Sequence, residues 1–87
     1  MYETTGHFRD DVLAVRPYLK IEWCIAVIEN PVQKRVQPDG RVQFWGFVPE
    51  IGDVHTSLRG RALKVVTLAD EVTIHTAYPD RNFKLEA

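Results

Sequence analysis

The sequence predicts an α+β domain: two N-terminal helices packed on a four-stranded, mostly antiparallel sheet, in the order α-α-β-β-β-β. Two observations carry this. Apolar residues recur at helical spacing up to about residue 30, then alternate with polar ones from Val32 onward. Proline and glycine punctuate the chain where the period changes. Helices in one run and strands in another argue for helices on one face of an antiparallel sheet. At 87 residues the chain is expected to be a single domain over 1–87, with 1–6 and 84–87 as loose ends.

The first helix is expected to begin near His7, capped by Thr4 or Thr5. Phe8, Val12 and Val15 recur at helical spacing, with Leu13 beside them. Asp10 and Asp11 in the first turn and Arg16 in the last suit the helix dipole. Pro17 ends it, because the residue before proline is pushed out of the α region. A second helix is expected over 20–29. Ile21, Cys24, Ile25 and Ile28 form one stripe, and Trp23, Ala26 and Val27 make the other side apolar too, which predicts burial on most faces. Asn30-Pro31 stops it.

Val32, Lys34 and Val36 then alternate with Gln33, Arg35 and Gln37. After the turn Pro38-Asp39-Gly40, Val42, Phe44, Gly46 and Val48 alternate with Arg41, Gln43, Trp45 and Phe47. This predicts a hairpin, since proline presets φ for a turn and glycine accepts positive φ. Pro49 to Gly60 reads as a long irregular connection of unassigned role. Ala62 to Leu68 is the third expected strand. In the fourth, Val72, Ile74 and Thr76 alternate with Thr73, His75 and Ala77. The end, Pro79 to Ala87, is polar and is expected to dock Phe83.

Composition narrows the function classes. The formal net charge is −1, so the whole chain carries no basic signature of a nucleic-acid binder. Residues 31–64 are mildly basic, and the segments on either side are acidic. One cysteine, Cys24, excludes an internal disulfide, and its place on an apolar stripe predicts a buried thiol. The first residues lack a basic stretch followed by an apolar run, and Trp23 to Ile28 is far shorter than a membrane span. A cytoplasmic protein without a membrane segment is expected. No glycine-rich phosphate loop, dinucleotide fingerprint, Cys-x-x-Cys pair or Gly-x-Ser-x-Gly elbow occurs, so no cofactor is expected. His7, His55 and His75 lie on different elements, and no metal is predicted. His7 and Asp11, four residues apart, share a helix face and read as a solvated or capping pair.

Two groups of polar residues remain. On the hairpin and the next strand, Arg41, Gln43, Trp45 and Arg61 form a candidate binding face, with Trp45 expected to be partly exposed. Lys34, Arg35, Arg59 and Lys64 add charge to or near the sheet. Near the C-terminus His75, Tyr78 and Arg81, with Lys64 on the preceding strand, form a candidate catalytic set. A histidine titrates near neutral pH, a tyrosine donates or orients, and cations stabilise developing negative charge. Simple alternation puts Thr73 and His75 on one face and Tyr78 on the other.

Three strings carry a resemblance. They are His7-Phe8-Arg9 with Arg16-Pro17-Tyr18, Glu29-Asn30-Pro31 before Asp39-Gly40-Arg41, and Leu63-Lys64-Val65-Val66-Thr67 before Thr73-Ile74-His75-Thr76-Ala77-Tyr78. Together they resemble a group of small bacterial proteins of unknown function, distantly like the RelE-type toxin superfamily. The resemblance implies two N-terminal helices on a small antiparallel sheet. It also implies an endoribonuclease in which a ribose 2′-hydroxyl attacks the adjacent phosphate, or a relative that keeps the fold without the activity. On that implication His75, Tyr78 and Arg81 would be the functional groups, and Lys64 and Arg61 would bind phosphate. The residues alone favour a binding protein without its own catalysis, partnered by another protein or a second copy. RNA cleavage is the alternative.

Overall fold

A computed structural model describes residues 2–54, apart from the Val54 side chain, and 60–83. Over these described residues the fold is α+β, with a five-stranded mixed sheet and three helices. Strand β1 is Glu3–Thr4, β2 Gln33–Val36, β3 Val42–Phe47, β4 Ala62–Thr67 and β5 Thr73–Asp80. Helix α1 is composite, a π-wound stretch Phe8–Val12 continued by Leu13–Val15; α2 is Ile21–Glu29 and α3 Glu50–Val54. The sheet order is β1-β5-β4-β3-β2. Strands β2 to β5 form an antiparallel meander, and β1 runs parallel to β5.

Two features correct the expected four-stranded sheet with two helices. Glu3 and Thr4, expected in a loose lead, pair with Thr73 and Ile74 as a fifth strand. Nothing apolar marks them; the open edge of β5 makes them a strand. Within the connection expected to be irregular, Glu50–Val54 forms α3, which sends Ile51 into the core. His55, Ser57 and Arg59 lie outside the described residues, as does the segment 84–87.

The chain turns where its composition demands. Gly40 takes φ +95° in the β2–β3 turn, where its N–H donates to Gln37 O and Asp39 Oδ1 accepts from Arg41 N–H. Pro79 sits inside β5 opposite Leu63, yet β1 covers only the first residues of that strand. No described strand covers the outer edge there, so a residue without an N–H costs no ladder bond.

Helix α2 packs on β3 and β4, and α1 packs on β5. The core joins Phe8, Trp23, Cys24 and Val27 to Val42, Phe44, Leu63, Val65, Ile74 and Ala77 from the sheet. Gly46 lets α2 approach closely: a Cβ there would lie 3.1 Å from Val27 Cγ2. Helix α2 is buried on one side only, since Ile21 and Ala26 face solvent. Val15, which recurs at helical spacing with Phe8 and Val12, is exposed. The Leu13 N–H reaches back five residues to Phe8 O, and this wider turn rotates later positions off the apolar stripe. Among the described residues, no helix is long and apolar enough to cross a membrane.

Candidate functional site: an imidazole pair beside a bulged strand

Strand β5 organises two polar clusters, and its irregular register separates them. Thr67 pairs with Ile74, but Val66 pairs with Thr76, so His75 is an extra residue. Such a bulge re-aims a side chain and shifts the strand's alternation by one. Ile74 and Ala77 consequently both reach the core, although they are three residues apart. Simple alternation over 72–77, as read from sequence, does not hold.

His75 is turned towards the N-terminal segment. Its Nδ1 lies 3.2 Å from Thr5 Oγ1, and its ring stacks on His7 with centroids 4.8 Å apart. Thr5 is also the cap of the first helix, as its Oγ1 accepts from Phe8 N–H at 3.1 Å. His7 Nδ1 lies 3.0 Å from Asp11 Oδ2, an exposed i,i+4 pair. Each ring thus makes its local contact through Nδ1. The His75 pKa is lowered from its ordinary value, first by desolvation, then by the charge of Arg41 and by His7. Neutral His75 is favoured, and a cation is within electrostatic reach.

The second cluster lies on the sheet face away from α2. There Lys64 pairs across the strands with both Trp45 and Tyr78. Its Nζ sits 5.3 Å from the Trp45 ring centroid and 5.4 Å from that of Tyr78. Arg16 lies 5.7 Å from the Tyr78 centroid, so two cations flank one ring. Trp45 Nε1–H donates to Asp80 Oδ2 at 3.0 Å, and Phe83 stacks on the Trp45 ring at 5.5 Å. Phe83 therefore docks as its sequence suggested. Trp45 is only 5% exposed, which corrects the expectation that it is partly open. Phe83 and Lys64 cover it.

The sequence-derived candidates thus divide. Lys64 and Tyr78 meet, whereas His75 belongs to the imidazole cluster and Arg81 is exposed in the turn after β5. Gln43 shares the outer face with Trp45 by register. Arg41 is exposed, its Nε 3.7 Å from Asp39 Oδ2. Arg61 lines a cavity of about 400 Å³ at the end of β3, with Phe47, Val48, Pro49 and Asp53. Among the described residues that line it, none belongs to the imidazole pair.

Sequence reasoning saw the His7–Asp11 spacing but not its meeting with His75. The available signal was the three-residue step from Ile74 to Ala77, which an unbroken strand cannot bury on one face. Among the described residues, no group of three or more His, Cys, Asp or Glu is placed to hold a metal ion. Cys24 is buried, and desolvation pushes its thiol up to about 12, so it is no nucleophile at neutral pH.

No protein-family profile matches the chain, and neither curated proteins nor solved structures give a significant match.

Proposed function

We propose that the chain is a small endoribonuclease acting without a metal, with His75 and His7 as its acid–base pair. The observation that carries the reading is the stacked pair itself, each ring held through Nδ1 by a separate local partner. Two irregularities support it: the bulge at His75 and the π-wound turn after His7, both features common at functional sites.

In this reading His75, kept neutral, is the base. Its Nδ1–H donates to Thr5 Oγ1, and its bare Nε2 takes the proton of a ribose 2′-hydroxyl. The 2′-oxygen bonds to phosphorus, and the P–O5′ bond breaks. His7, its Nδ1–H on Asp11, gives its Nε2 proton to the departing 5′-oxygen. The products are a 2′,3′-cyclic phosphate and a 5′-hydroxyl. Arg41 offsets charge on the phosphoryl oxygens.

The test is growth on induced expression, with total RNA examined in parallel. Arrest with RNA cleavage, both relieved by His75→Ala, supports the reading; arrest that persists in His75→Ala overturns it. The second reading, a binding protein without catalysis, is favoured by the Arg16–Tyr78–Lys64–Trp45 array on the outer face. On that reading Arg41, Gln43, Trp45 and Arg61 serve contact, and expression leaves RNA intact.

A further inference from the structure

Strand β2 ends the sheet on the side opposite β1. Gln37 N–H donates to Arg41 O, and antiparallel alternation from that pair turns the main-chain groups of Arg35 and Gln33 towards β3. Lys34 and Val36 therefore turn their N–H and C=O groups outward, to an edge that no described strand covers. The core-side surface is bare as well. Val36 is 63% and Val32 43% exposed, because α2 packs on β3 and β4 rather than on β2.

We infer that the β2 edge is a docking site for an extended acidic segment of another protein, added as a sixth strand. Free main-chain groups on Lys34 and Val36 supply its ladder bonds. Val32 and Val36 receive apolar side chains on one face of the added strand, and Arg35, on the other face, selects its carboxylates. Charge chooses this occupant over a second copy. Two β2 edges meeting antiparallel across a two-fold axis, with Lys34 bonded to Val36 of the other copy, would set Arg35 against Arg35, and like charges across strands repel. Lys34 lies on the valine face with its Nζ on Glu71 at 2.5 Å, so Arg35 is the cation that the carboxylates of an added strand meet.

The probe is a capped eight-residue peptide of alternating glutamate and valine, titrated into isotope-labelled protein. The expected result is amide shifts and slowed hydrogen exchange centred on Lys34 and Val36. A lysine–valine peptide should bind at least about tenfold more weakly, a difference of about 1.4 kcal/mol. Arg35→Glu should reverse that preference. Val36→Pro removes an outward N–H that β3 does not use, so it should abolish binding while the β2–β3 amides keep their shifts. Equal binding of both peptides, shifts centred elsewhere, no binding at millimolar peptide, or dimerisation of the protein alone through β2 would each overturn the assignment.

Discussion

His7 and His75, from opposite ends of the chain, stack with centroids 4.8 Å apart and 29° between their planes. The contact joins the start of α1 to the bulge of β5, so it couples the N-terminal segment to the last strand. It also makes the protonation of one ring matter to the other, since two adjacent imidazolium ions repel.

Stability should therefore depend on pH. The groups that act on His75 are Thr5, His7 with its partner Asp11, and, by charge, Arg41 in the β2–β3 hairpin beyond β4. The folded pKa of His75 lies below the unfolded value of 6.5. Between those two values the unfolded chain binds more protons. The contribution is thus complete above pH 6.5 and is lost as pH falls towards the folded pKa. Urea midpoints measured from about pH 7.5 to 5 should fall, and His75→Phe, which keeps a ring in the stack, should flatten that fall. Identical profiles for the two proteins would remove the coupling.

Gly46→Ala should destabilise the fold by about 1–3 kcal/mol, the usual cost of overpacking. The added methyl would meet Val27 Cγ2 at 3.1 Å and Cγ1 at 3.3 Å. Combining it with Val27→Ala should cost less than the two changes summed, because the second removes the atoms the first strikes. Denaturant unfolding of the four proteins measures this coupling; simple additivity would place the strain elsewhere.

Phe83→Ala should shift Trp45 emission to the red and cost about 1–2 kcal/mol, from a lost aromatic stack and part of its burial. Trp23, buried against the other side of the sheet, serves as an internal reference. Unchanged emission would mean that Phe83 does not shield the indole.

Much of this architecture is legible in residue order, and the exceptions have physical causes. Alternation over 32–48 marks β2 and β3, and the apolar run 62–68 marks β4, which is buried on both faces. Glu3 and Thr4 carry no such pattern, since β1 exists only through its ladder with β5. The five residues of α3 are too few to show a helical period. For the candidate site, His75 was visible as a titrating group and His7–Asp11 as a helix-face pair. Their meeting was not, because it depends on a parallel pairing between the two ends of the chain and on one extra residue in β5. Lys64 and Tyr78 were legible as neighbours once β4 and β5 pair.

The most direct test of the acid–base pair uses purified protein and a DNA oligonucleotide carrying one ribonucleotide. The account expects cleavage only 3′ of that ribonucleotide, leaving a 2′,3′-cyclic phosphate and a 5′-hydroxyl. Each of His75→Ala and His7→Ala should slow it by about 10²–10⁴-fold, the usual contribution of a general acid or base. Cleavage that survives both substitutions, or no cleavage by correctly folded wild-type protein across about pH 5 to 8, would contradict it.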